Sequence, residues 1–91
     1  MIKQWNFKVF GVVQGVCLRF KTRQKAQSLN LVGWVQNLID GSVEIKAVGK
    51  ETDLKKLFNW LESSPGYSEI TNIKKEEINQ VQKFDGFNIM Y

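Results

Sequence analysis

Gly11-Val12-Val13-Gln14-Gly15-Val16-Cys17-Leu18-Arg19 lies between two segments of different hydrophobic period, and that change of period decides the fold. Upstream, Trp5, Phe7 and Val9 alternate with Asn6 and Lys8, the pattern of a half-buried strand that stops at Gly11. Downstream, Leu18, Thr22, Ala26 and Leu29 recur at helical spacing and predict a helix of about three turns from Leu18 to Leu29. Asn30 suits the left-handed residue that closes such a helix. Gly11 and Gly15 mark the connection as a loop.

Further along the chain, Val32 to Ile39 predicts a second strand and Asp40-Gly41 a two-residue hairpin turn. Val43, Ile45 and Ala47 form the returning strand, which ends at Gly49. Leu54, Leu57, Phe58 and Leu61 follow the spacing of an amphipathic helix, with Thr52 as candidate cap and Pro65-Gly66 as its end. Ile70 to Ile78 reads as a strand interrupted by polar residues, and Phe87, Ile89 and Tyr91 alternate to the C-terminus. The order is β-α-β-β-α-β, with any extra strand in the 70–80 region. That is an α+β, ferredoxin-like split βαβ pattern, two helices covering one face of an antiparallel sheet. Many functions share this fold, so the pattern alone assigns none.

The 91 residues, 43% hydrophobic and 24% charged, predict one domain over residues 1–91 with a core that needs no covalent staples. A disordered tail, a collagen-like repeat and a multidomain enzyme are excluded. Cys17 is the only cysteine and histidine is absent, which rules out an internal disulfide, structural zinc, an imidazole base and a Ser-His-Asp triad. No apolar run approaches the about 20 residues of a membrane span. MIKQWNFKVF lacks the apolar core and cleavage site of a signal peptide, so a cytoplasmic setting is expected.

Residues 1–46 hold seven Lys or Arg against two acids, and residues 47–91 hold six against seven. Within the front half, Arg19, Lys21, Arg23 and Lys25 form an acid-free cluster on the first turns of the first helix. Cations there oppose the helix macrodipole, a preference of about 0.3–1 kcal/mol per exposed charge. A strand, a glycine-containing loop and a helix start together make an anion cradle, because loop N–H groups converge where the helix end is partly positive. An anion arriving from outside accounts for the cluster, and Arg19, nearest the loop, is suited to grip two phosphate oxygens. The alternative is a solvated basic helix with glycines that merely turn the chain.

The quoted loop resembles the signature of the acylphosphatase family, G-x-V-Q-G-V-x-[aromatic or apolar]-R. Gly33-Trp34-Val35-Gln36-Asn37-Leu38-Ile39-Asp40-Gly41-Ser42-Val43-Glu44 is similar to that family's second signature, G-[aromatic]-V-x-N-x-x-D-G-x-V-E. Phe84-Asp85-Gly86-Phe87-Asn88-Ile89-Met90-Tyr91 is similar to its closing strand. The resemblance covers the whole chain in order and spacing. Leu18 stands where Phe is more usual, and Asn30 where the helix commonly ends in Gly.

The resemblance implies hydrolysis of small acyl phosphates to carboxylate and inorganic phosphate, with no metal or organic cofactor. Carried over by motif, Arg19 binds phosphate with the loop N–H groups of Val12, Val13, Gln14, Gly15, Val16, Cys17 and Leu18. The side-chain amide of Asn37 orients the attacking water. A monomer without nucleic-acid or membrane partners is expected. The absence of histidine agrees with such chemistry, since a carboxylate leaves without a strong general acid. Asp40 reads as a turn residue and Glu44 as an outward strand position rather than as general bases.

Three other readings compete with this one. Cys17 and Arg23 match the C-x5-R spacing of cysteine-dependent phosphatases, but no glycine lets Leu18–Thr22 wrap a phosphate. Cys17 is instead expected to pack as a small residue under the loop. A ferredoxin-like nucleic-acid module would fit a pI near 9.3, yet no strand carries the basic-Gly-aromatic stacking motif. The third reading is a non-catalytic phosphate- or carbamoyl-phosphate-handling domain, since acylphosphatase-like domains occur within larger carbamoyl-transfer proteins of hydrogenase maturation. The start at Met1 and the end on a strand favour a free-standing enzyme.

Overall fold

Trp5, Phe7 and Val9, the alternating residues of the first strand, are buried in the computed structural model, which describes all 91 residues. Their strand, β1 (Ile2–Val12), is followed by α1 (Leu18–Ser28), β2 (Val32–Asn37), β3 (Val43–Lys50), α2 (Glu51–Glu62), β4 (Glu69–Ile78) and β5 (Phe87–Met90). The sheet order is β4-β1-β3-β2-β5. Antiparallel ladders join β1 to β3 and β4, and β2 to β3, while β5 runs parallel to β2.

The ferredoxin-like fold is the expected one, with both helices on one face of the sheet; α1 lies over β2 and β5, and α2 over β1, β3 and β4. The C-terminal half differs from the sequence reading. β4 closes the split βαβ unit beside β1, and β5 is the extra strand on the opposite edge. The sheet is therefore mixed, not antiparallel. β4 is obscured in the sequence because it is an edge strand rich in charge, a common protection against edge-to-edge pairing. It also carries a break in phase. Val9 pairs with Ile73 but Gly11 with Ile70, so an irregularity at Phe10 and Gly11 lets two isoleucines three residues apart both pack against the core.

Leu54, Leu57 and Leu61 of α2 are fully buried against the strand residues Phe7, Ile45 and Val9 in one cluster. Burial of one such leucine contributes about 1.5–3 kcal/mol. Phe7 stacks on Phe58 at 6.0 Å and meets Trp5 edge-on at 6.2 Å. Thr52 is not the cap of α2. Lys50 occupies the N-cap without a side-chain bond, and Thr52 is exposed in the first turn.

α1 ends as expected. Asn30 has φ 57°, Leu31 N–H donates to Ala26 at 2.9 Å, and Asn30 N–H donates to Gln27 at 3.1 Å. These two bonds form a Schellman closure, with Asn taking the left-handed position usually held by Gly. The hairpin turn is longer than the two residues expected. β2 stops at Asn37, and residues 38–42 form the loop, closed by Leu38 N–H to Ser42 O at 2.8 Å. No helix is long and apolar enough to cross a membrane.

Candidate active site

Gly11 steers the chain out of β1. Its φ is +124°, and a Cβ there would come within 2.0 Å of the Glu69 carbonyl oxygen, so only glycine allows β4 so close. Val12 is the last residue of β1, in register with Glu69, and Val13 turns its side chain into the core. The loop then passes through Gly15 at φ +75°, with open space where a Cβ would project. Cys17 ends it in the left-handed region at φ 61° as the N-cap of α1. Cys17 is exposed, so it does not pack under the loop. Leu18 fills that place, with its side chain buried at the first helical position.

The hydrogen-bond inventory of this loop is incomplete. None of the N–H groups of Val13, Gln14, Gly15, Val16 and Cys17 donates to a backbone or side-chain acceptor. The first bond of α1 runs from Lys21 N–H to Cys17 O at 3.1 Å, so Leu18, Arg19 and Phe20 lack intrahelical acceptors too. Cys17 makes no side-chain cap, and the first turn of α1 holds no acid. The result is a continuous run of free donors at the positive end of a helix.

Gln14 ties this run to the second signature. Its Nε2 donates to Leu38 O at 2.7 Å and to Ser42 O at 2.8 Å, clamping the loop on the β2–β3 connection one residue past Asn37. Asn37 ends β2 opposite Val43, and its Oδ1 is buried without a partner. Arg19 meets the same end of the sheet from the other side. Its Cζ lies 5.1 Å from the Tyr91 ring centroid, and Tyr91 follows Met90, which pairs with Gln36 beside Asn37. The structure thus gathers Arg19, Asn37 and the Val13–Leu18 backbone at the C-terminal end of β1 and β2.

Asp40 and Glu44 lie outside this cluster of free groups. The Asp40 carboxylate accepts from Ser42 Oγ at 2.5 Å and Ser42 N–H at 2.9 Å, and pairs with Lys8 Nζ at 3.0 Å. The two bonds from Ser42, the hydroxyl first, hold it well below the usual carboxylate range, with Lys8 adding to the effect. It is a hairpin brace, kept ionised. Glu44 stands on β3 opposite Lys8 and Gln36, on the sheet face away from the helices.

The basic cluster divides in two. Lys21 and Lys25 turn towards α2, bordering a groove with Trp60 and Pro65, where the Lys21 stem packs on Gly66. Arg19 and Arg23, four apart, share a flank of α1, with Arg19 over Tyr91 and Arg23 over Phe20. None of the four has a carboxylate partner, since the ion pairs are Lys3–Glu51, Lys8–Asp40 and Lys75–Glu77. Two contributors escaped the sequence reading. The Gln14 side chain was counted only for its N–H, although its signature position pointed to it. Nothing local could have placed Tyr91 against Arg19, because that contact depends on the parallel β2–β5 pairing.

Fold and loop together define a small ferredoxin-like protein with a donor-lined loop able to accept an anion. The family model Acylphosphatase matches residues 5–89. An acylphosphatase of Marinobacter nauticus is 42% identical over 86 residues, covering 94% of each chain. The crystal structure of the acylphosphatase from Bacillus subtilis superposes over the full length of both chains with a TM-score of 0.94 at 34% identity. Full-length HypF in a phosphate- and nucleotide-bound form also contains this fold; all of the present chain matches 12% of that one, with a TM-score of 0.93 at 29% identity. The chain belongs to the acylphosphatase family and is, as its signatures implied, an enzyme that hydrolyses acyl phosphates.

Proposed function

We propose that residues 1–91 form one domain that acts as a monomeric, cytoplasmic acylphosphatase in which Arg19 and the Val12–Leu18 backbone hold the phosphoryl group and Asn37 positions water. The observation that carries this reading is the run of unpaired N–H groups from Val13 to Cys17 beside a guanidinium with no carboxylate partner. A phosphoryl group of a small acyl phosphate would satisfy these donors at once, and Arg19 would add a bidentate contact.

Water attacks phosphorus while the bond from phosphorus to the acyl oxygen breaks. The carboxylate leaves with that electron pair, and the proton of the water passes to phosphate or solvent. A loose transition state spreads charge over the equatorial phosphoryl oxygens, where preorganised N–H groups and Arg19 are most effective. Asn37 Oδ1 is buried and unpaired, so it can accept a hydrogen from the water and leave an oxygen lone pair free for attack. The scheme uses no imidazole, metal or nucleic acid.

Hydrolysis of benzoyl phosphate tests the assignment. Arg19→Ala should lower kcat/KM by about a thousandfold, affecting both KM and kcat. Asn37→Ala should lower kcat by about a hundredfold and leave KM nearly unchanged. An Asn37→Ala enzyme with normal turnover would remove the role given to that amide. A folded wild type that binds phosphate but releases none from benzoyl phosphate would overturn the assignment.

A further inference from the structure

Arg23 is left unused by the scheme above, yet it is built into the same flank of α1. It stands four residues after Arg19, about 6 Å further along the helix axis. Helical side chains lean back towards the N-terminus, so its guanidinium returns towards the first turn. There it lies over the Phe20 ring, with Cζ 5.5 Å from the centroid. Its Nε is buried and donates to nothing, which marks an arm packed down on the protein rather than trailing in solvent. No carboxylate pairs with it, although Phe20 beside it stays 49% exposed. Arg19 and Arg23, neither with a carboxylate partner, therefore stand about one helical turn apart on α1, and the assigned chemistry requires only one.

We propose that Arg23 is a specificity-determining residue that receives a second anionic group, carried by the acyl part of the substrate. This rests on the reading of Arg19 as the phosphate anchor. The preferred class is then an acyl phosphate whose chain ends in a carboxylate two or three carbons from the anhydride. In such a molecule the two anions are separated by about one helical turn. Phe20 fixes the Arg23 fork, so little side-chain freedom is lost when it pairs with the carboxylate. The reaction is unchanged: water still displaces the acyl carboxylate from phosphorus, and Arg23 touches only the distal group.

The test compares succinyl monophosphate with benzoyl phosphate, which lacks the second anion, in wild type, Arg23→Gln and Arg23→Lys. Arg23→Gln should lower kcat/KM for succinyl monophosphate about tenfold, mainly through KM, and change that for benzoyl phosphate less than about twofold. Arg23→Lys should fall between, and added salt should narrow the wild-type preference. An Arg23→Gln enzyme in which both substrates fall equally, or neither changes, overturns the proposal while leaving the hydrolytic reading intact. A wild type that hydrolyses neither substrate overturns the hydrolytic reading, and this proposal with it.

Discussion

α1 and α2 cover the same face of the sheet with 11 and 12 residues, yet they begin with opposite charge. α2 opens with Glu51 and Asp53 in its first turn, where the macrodipole favours acids, and buries Leu54, Leu57 and Leu61. α1 opens with no acid, carries Arg19 in its first turn, and buries Leu18, Thr22 and Ala26. Even Thr22 Oγ1 is buried without a partner. α2 follows the rules of stability at both its charged end and its apolar face. α1 departs from both, and it is the helix that receives the donor loop. The contrast separates scaffold from site: a helix that gives up several small stabilising preferences beside unpaired N–H groups is arranged for a ligand.

The division can be broken from either side. Leu57→Ala in α2 should cost about 2–5 kcal/mol, read by denaturant unfolding, with kcat per folded molecule unchanged. A large kcat defect in that variant would erase the distinction between the helices. Gln14→Ala should affect both sides, because it frees the loop and leaves the carbonyls of Leu38 and Ser42 without that donor. About 1–3 kcal/mol of stability and roughly a tenfold loss in kcat are expected, the latter through a looser Asn37. Glu51→Gln with Asp53→Asn should lower the melting point by the equivalent of about 0.3–1 kcal/mol per charge and leave the rate alone.

The smallest effect concerns pH. Asp40 has its folded-state pKa depressed, so its contribution is complete above the unfolded value of about 4 and is lost as pH falls through the folded one. Acid titration should therefore show a slight loss of stability starting below about pH 4, absent in Asp40→Asn. Between about pH 5 and 8 the rate should stay flat, because the chain holds no histidine. A break near pH 6.5 in the rate profile would reveal a titrating group outside the proposed site.

The parts of the fold with a clean period could be read in advance. Trp5-Phe7-Val9, Val43-Ile45-Ala47 and Leu54-Leu57-Leu61 are buried as their spacing required. The fourth strand reads only weakly, as one interrupted by polar residues, because an edge strand buries little and because the irregularity at Phe10 and Gly11 shifts the phase of Ile70 and Ile73. The parallel pairing of β5 with β2 had no local signal, since a parallel partner is chosen by the sheet and not by the four residues of the strand. At the proposed site, Arg19 and the loop stood out through residue type and spacing, and Asn37 only through the resemblance to the family's second signature. The exposure of Cys17 and the Arg19–Tyr91 stack did not, because each depends on a backbone turn or a contact between distant parts of the chain.

On the proposed function, the Val13–Cys17 amides and Arg19 receive an external phosphoryl group. Amide-resolved NMR during titration with inorganic phosphate, the reaction product, tests it most directly. Saturable shifts should concentrate at Val13, Gln14, Gly15, Val16 and Cys17, with a Kd equal to the inhibition constant of phosphate against benzoyl phosphate hydrolysis. Arg19→Ala should abolish them. Shifts confined instead to the Lys21, Lys25 and Trp60 groove, or unaltered by Arg19→Ala, would contradict the account.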